Sequence, residues 1–296
     1  MIRTLCVSLA LLAVPLHAQA QLRVNDALAY LDQGDRDSAV RILHPLAARG
    51  DVLAQYNLGV LALAGQAGMT ADDAELWLGS AAGAGYVPAQ TVLADMMVDR
   101  HDWAQAAYWY DLAAQAGDVT AQFMSGRILD QGLAGERDLN AAAYWYERAA
   151  QQGHLQAQFA LATLLDEGQH PERAAQWFEH AALQGHVAAQ FALARALAAG
   201  NGVAQDAPAA RGWYLRAARA GFSPAMHNLA LMQARGQGGR RSYRLALAWA
   251  LNAQAAGHDP AEVLVSALRD VMSADAQAQA EALAPDCFDQ RAEDCD

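Results

Sequence analysis

VAAQFALARALAAGNGVAQDAPAARGWYLRAARAGF, residues 187–222, is the stretch that decides how this chain is to be read. It opens on an apolar helical pattern and breaks at the glycine-rich turn 200–203. A second helical pattern follows, carrying Trp213 and Tyr214 and ending Ala217-Ala218-x-x-Gly221. A lone helical hairpin cannot bury its own apolar face, whereas stacked copies bury it against one another. Recurrence is therefore the test, and the pattern recurs, imperfectly, from Asp51 to His258.

Alignment on the glycine that ends each second helix (Gly50, Gly85, Gly117, Gly153, Gly185, Gly221 and Gly257) makes the rule explicit. Eight residues before each of the last six stands Trp77, Trp109, Trp145, Trp177, Trp213 or Trp249, and eleven before stands Ala74, Ala106, Ala142, Ala174, Ala210 or Ala246. Offsets of −11, −8 and −4 form one helical stripe, so the tryptophans are expected on the packing face and not as an exposed sugar-stacking platform. The first helices keep their own register from Ala54, Ala89, Ala121, Ala157, Ala189, Ala225 and Ala261. Five residues on, each has a small residue: Gly59, Ala94, Gly126, Ala162, Ala194, Ala230 and Ser266. Small sites let two backbones approach, with the facing tryptophan expected to fill the adjoining volume. A glutamine one residue into that register (Gln55, Gln90, Gln122, Gln158, Gln190) falls on the packing side and is expected to bond across repeats.

AQYNLG at 54–59, GNGVAQDAPAARGWYLRAARAGF at 200–222 and the recurring Ala-x-x-Trp-Tyr-x-x-Ala-Ala-x-x-Gly resemble the Sel-one-like repeat, a relative of the tetratricopeptide repeat, in its exported bacterial form. The resemblance implies an all-α fold, a right-handed α-solenoid of antiparallel helix pairs, whose first helices line the concave side of a protein-binding scaffold. The expected organisation is a signal peptide over 1–20, a degenerate N-terminal helical cap with a brief first helix over 21–50, six repeats over 51–258, and capping helices with a disulfide-closed tail over 259–296. The units ending at Gly117 and Gly185 lack the Gly-x-Gly turn and are expected to have tighter loops.

Export is read from Arg3, the apolar run 5–16 and the small-x-small site Ala18-Gln19-Ala20, with Gln21 as the mature start. The run is too short to span a bilayer, so no integral membrane segment is expected after cleavage. Cys287 and Cys295 are then the only thiols left, an even pair for one disulfide in an oxidising compartment; a loop this short contributes about 2–3 kcal/mol in the chain-entropy model.

A net charge of −12 argues against nucleic-acid binding. All twenty basic residues are arginines, which excludes P-loop phosphate binding and lysine-dependent covalent chemistry as usually built. His154, His186 and His258 each follow a terminal glycine, but neighbouring repeats sit about 10 Å apart, too far to share one metal ion. The acidic clusters Asp72-Asp73 and 99–102 are placed at helix starts, where they cap and favour the dipole. No nucleophile motif, metal set or cofactor signature emerges, and a non-catalytic protein is expected.

What the repeat rule leaves free is the far side of the first helices. Counting the register alanine as position 0, the residues at 3, 6 and 10 point away from the packing face. The candidate partner-binding residues there are Asn57, Asp95, Met124, Arg127, Glu167, Arg195, Asn228, Leu231 and Arg235, with the arginines as charged anchors and Met124 and Leu231 as apolar ones. Ala160, Ala192 and Ala199 make much of the same face look featureless.

The expected role is a periplasmic adapter with protein partners of the cell envelope, in envelope assembly, secretion or polysaccharide machinery, or sensor-kinase regulation. The alternative is a module binding peptidoglycan or another polysaccharide through Trp103 and Tyr243. A β-lactamase-like enzyme is less favoured, because the cysteine-rich relatives implied by the resemblance carry a disulfide in each repeat and this chain has none there.

Overall fold

The computed structural model describes residues 16–288 and Cys295; most of the stretch read as a signal peptide lies outside them. The described residues form sixteen α-helices and one 3-10 turn, and no strand. They divide into two compact units, up to Arg137 and from Asp138. In the first, α1 (Leu16–Asp32) pairs with α2 (Arg36–Ala47), α3 (Val52–Leu63) with α4 (Ala71–Gly83), α5 (Val87–Asp99) with α6 (Trp103–Gln115), and α7 (Val119–Gln131) packs on α6. In the second, α8 (Leu139–Gln151) packs on α9 (Leu155–Glu167), which pairs with α10 (Pro171–Leu183). There α11 (Val187–Ala199) pairs with α12 (Ala207–Arg219) and α13 (Ser223–Arg235) with α14 (Tyr243–Ala255). The chain closes with α15 (Pro260–Val271), α16 (Ala274–Leu283) and the turn Ala284–Phe288.

Two devices start the helices. Asp, Ser, Thr or His side chains accept the first orphan N–H groups, as Asp118 does from Ala121 and Asp206 from Ala209. Where no side chain caps, at α5, α10, α13 and α15, a proline stands in the first turn, its φ already helical and its missing N–H no loss. Asp73 belongs to a capping box with Thr70, as a start position should. Asp99, expected at a helix start, instead ends α5. The first helix of the N-terminal pair is also longer than expected, since α1 spans seventeen residues and begins inside the segment read as signal.

The loops follow the length rule. Residues 100–102 and 168–170 suffice in the two short units, where His101 and Gln169 take the left-handed conformation (φ 60° and 62°), against 132–138, 200–206 and 236–242 elsewhere. In the turns 200–206 and 236–242 the second glycine docks on the preceding repeat, whereas Gly135 in 132–138 faces open space. A Cβ on Gly202 would fall 2.1 Å from the Pro171 carbonyl oxygen, and one on Gly238 2.3 Å from that of Ala207.

The packing stripe differs from expectation by one residue. The fully buried large side chain is at −7, not −8: Tyr110 is 0% exposed, Tyr146 2%, Phe178 6% and Tyr214 3%, while Trp77, Trp109, Trp177 and Trp213 are only half-buried. With alanines at −11, −4 and −3 also buried, the face is an i, i+4, i+7, i+8 set, and tryptophan borders it. The large partner of the small site is accordingly the −7 residue. A Cβ on Gly59 would meet Leu78 Cγ at 2.5 Å, so Leu78 fills the notch assigned to Trp77. The glutamines do bond across repeats: Gln55, Gln90, Gln122, Gln158 and Gln190 each donate through Nε2 to a carbonyl eight residues earlier, at 3.1–3.3 Å. Each gives a second hydrogen bond to a carbonyl near the C-terminus of the preceding second helix, one that already accepts from the N–H of the terminal glycine.

Two tryptophans of the register are buried as expected: Trp145, 9% exposed, and Trp249, fully buried because the C-terminal tail covers it. The Trp249 indole N–H donates to the Cys295 carbonyl (3.2 Å), Phe288 packs edge-on (6.0 Å), and Asn252 of the same helix donates to the Ala284 carbonyl (2.8 Å). Cys287 and Cys295 are joined, with their Cα atoms 5.3 Å apart, and both are fully buried.

Candidate functional site

The −7 side chain of a second helix reaches through to the first-helix face, and its chemistry sets what that face can accept. In the first unit the Tyr110 hydroxyl donates to Asp95 of α5, with the Arg127 guanidinium of α7 close enough to act on it. Burial, and then the bond to Asp95, push the Tyr110 phenol well above its ordinary range, so it stays a donor. In the second unit the Tyr214 hydroxyl accepts from Asn228 Nδ2 of α13 at 3.2 Å, and Arg195 of α11 is close enough to act on it. Both phenols bridge the space between successive first helices.

At α10 there is no such bridge. Phe178 has no hydroxyl, and the flanking positions, Thr163 at 6 of α9 and Ala192 at 3 of α11, are small; Thr163 donates back to the Phe159 carbonyl (3.0 Å). The space stays open as a groove of about 350 Å³ between α9 and α11, at the low end of small-ligand pockets. Its floor is Ala174, Ala175 and Phe178. One wall presents Phe159, the other Phe191 with Ala188, Ala192, Ala196 and Ala199. The alanines that look featureless in the sequence are what make the groove.

Phe159 is backed by the His186 ring (4.3 Å, stacked) and Phe191 by Phe222 (5.2 Å). Asp166 and Glu167 end one rim and Arg195 stands on the other, and none of the three side chains makes a hydrogen bond or ion pair among the described residues.

The nine sequence-derived candidates are thus distributed, not assembled into one site. Glu167 and Arg195 meet at the groove; Asp95 and Arg127 meet at Tyr110; Asn228 is held by Tyr214. Asn57 donates to the Leu53 carbonyl of its own helix (2.7 Å), Met124 and Leu231 are half-buried, and Arg235 is exposed in the last turn of α13, where the dipole favours it. Sequence reasoning missed Phe159, Phe178 and Phe191. The available signal was an aromatic at position 2 of the first helix, recurring at Tyr56, Phe123, Phe159 and Phe191, together with Phe replacing Tyr at −7.

The Sel1 repeat family model matches residues 52–86, 96–118, 119–154, 155–186, 187–222 and 223–258, well over half of the chain. The chain belongs to the Sel1 repeat family. Among solved structures it is similar to c5321, a protective antigen present in uropathogenic Escherichia coli strains displaying an SLR fold, at 26% identity over 93% of this chain and 70% of that one, TM-score 0.57. It is also similar to a Sel1 repeat protein from Oxalobacter formigenes, at 26% identity over 78% of this chain and 96% of that one, TM-score 0.57. No curated protein matches the chain. Sel1 repeat proteins generally mediate protein–protein interactions and are typically non-catalytic scaffolds.

Within this Sel1 array two of the three histidines after terminal glycines, His154 and His186, are helix caps, whereas α15 starts at Asp259 without a side-chain cap. His154 Nδ1 accepts from the Ala157 N–H and His186 Nδ1 from that of Ala189, both at 3.2 Å, and His186 Nε2 meets Gln156 Oε1 at 3.1 Å. An accepting Nδ1 requires the neutral ring, and burial holds both pKa values below the ordinary 6.5. His227 is lowered likewise, by burial and then by His258, 5.1 Å away.

A depressed histidine pKa contributes stability that is complete above the unfolded value and is lost as pH falls from there through the folded value. Unfolding midpoints in urea are therefore expected to hold from pH 8 to about 6.5 and to fall between about 6.5 and 5, above the carboxylate range. His186→Asn, which caps without titrating, is expected to flatten that fall; an unchanged slope would contradict the cap assignment.

The two aromatics considered for glycan binding are poorly presented. Trp103 is half-buried against His101, and Tyr243 carries the Arg241 guanidinium over its ring at 5.3 Å. No helix of the described residues is long and apolar enough to cross a membrane. Among those residues no group of three His, Cys, Asp or Glu side chains is placed to hold a metal ion.

Proposed function

We propose that this chain is an exported, periplasmic, non-catalytic adapter that binds a protein partner of the cell envelope on its first-helix face. The observation that carries the reading is the open groove between α9 and α11, apolar at its floor and bearing unpaired charge of both signs on its rims. The N-terminal apolar run and the buried Cys287–Cys295 pair support the compartment.

The experiment is site-specific photo-crosslinking in cells. A crosslinker at Ala192 or Leu231, on first helices, is expected to capture one recurring envelope protein, whereas one at Leu183, exposed on a second helix, is expected to give none. Equal capture from both faces, or recovery of the chain in the cytoplasmic fraction, would contradict the reading.

A further inference from the structure

Within the adapter reading just given, on which this inference rests, the geometry points to the kind of segment the α9–α11 groove takes: a peptide that inserts one large apolar side chain onto Phe178 and carries a Lys or Arg immediately beside it. Three observations converge on that chemistry.

The first is shape. Tyr110 and Tyr214 close the equivalent spaces by hydrogen-bonding first-helix side chains, and Phe178 leaves its own space open between Thr163 and Ala192. An apolar floor with no hydroxyl and small walls accepts a Leu, Met or Phe side chain; a polar one entering there would lose its water with no partner to replace it.

The second is charge. Asp166 and Glu167 lie at the C-terminal end of α9, and Asn201, which also lines the groove, follows the C-terminus of α11. Two free carboxylates beside two helix C-termini make that end of the groove negative, in a chain whose net charge is already −12. A cation next to the apolar anchor is the complement. Arg195, about one turn back along α11, then faces the other side of the anchor and favours an acidic residue or a terminal carboxylate there.

The third is preorganisation. Thr163 is satisfied by its own helix, Phe159 is braced by His186 and Phe191 by Phe222, so the walls do not collapse into the space they enclose.

The test is to pan a random dodecapeptide phage library on the immobilised full-length chain, then measure the enriched peptides by fluorescence anisotropy. Three proteins are compared: the wild type, Ala192→Met, which fills the groove from a helix position tolerant of methionine, and Asp166→Asn with Glu167→Gln. Circular dichroism confirms that each variant is folded. Enriched sequences are expected to share a large apolar residue with Lys or Arg within two positions. Their affinity is expected to fall about tenfold or more on Ala192→Met and to fall, with loss of its salt dependence, on the double neutralisation.

Basic–apolar peptides that bind all three proteins equally would overturn the groove while leaving the first-helix adapter reading intact. Enrichment of acidic or purely apolar peptides would overturn the charge assignment. Failure to enrich any peptide over a blank surface, on a folded chain, would count against both readings.

Discussion

Replacing Trp249 by alanine is expected to cost about 3–5 kcal/mol, the range for deleting a large aromatic from a closed core, because it is the one described tryptophan of the repeat register with no exposed surface. The indole is enclosed by the tail: Phe288 stands on its edge, and its N–H fills the need of the buried Cys295 carbonyl. Trp249→Phe keeps most of the packing and removes only the donor, so it is expected to cost about 1–3 kcal/mol, the penalty for leaving that carbonyl unpaired. Trp177→Ala, half-buried at the same register position, is expected to cost clearly less than Trp249→Ala. Urea unfolding followed by circular dichroism measures all three. Equal losses for Trp177→Ala and Trp249→Ala would mean that the tail does not seal the end of the array.

Gly202→Ala is the second large effect. Gly202 has φ +72°, where an alanine is strained by about 1–2 kcal/mol. The new methyl would also sit 2.1 Å from the Pro171 carbonyl oxygen and 2.3 Å from its carbon. Those are backbone atoms at the start of α10, with no flexible side chain to move aside, so the turn or the helix must shift, which adds about 1–3 kcal/mol.

The expected loss is therefore about 3 kcal/mol, and it is local, since a repeat array transmits strain mainly to its neighbours. Hydrogen exchange is expected to quicken in α10 and in the turn 200–206 before it does in α14. Because Pro171 and Asn201 line the groove, the same variant is expected to weaken peptide binding there. A melting curve superimposable on that of the parent would show that the close approach is not a constraint.

The repeat was legible because its signals are local. Terminal glycines, capping residues and small-residue sites each act within a few positions along the chain, and a fixed period repeats them until the pattern cannot be missed. The glutamine bonds were legible for the same reason: eight residues separate donor and acceptor in every copy, so one helical turn geometry serves all five.

The tryptophan stripe was misplaced by one residue because offsets of −8 and −7 differ by only 100° around a helix that is apolar on both sides of that boundary. Tryptophan is large enough to pack at the border while tyrosine, phenylalanine or leucine fills the centre, and composition alone does not separate the two. Gly59 shows the difference: its missing Cβ leaves room for Leu78, not Trp77.

The groove was not legible, because it arises from what three helices lack. Phe178 lacks a hydroxyl, Thr163 turns its own inward, and Ala192 contributes almost nothing, residues separated along the chain that share one space only when α9, α10 and α11 stack. Periodicity by itself determined the helix pairs, their order and the first-helix face that the repeat rule leaves free. The tertiary structure alone decided which inter-helix space on that face is bridged and which is open, since a hydroxyl closes a gap only when packing brings a partner such as Asp95 or Asn228 within hydrogen-bonding reach.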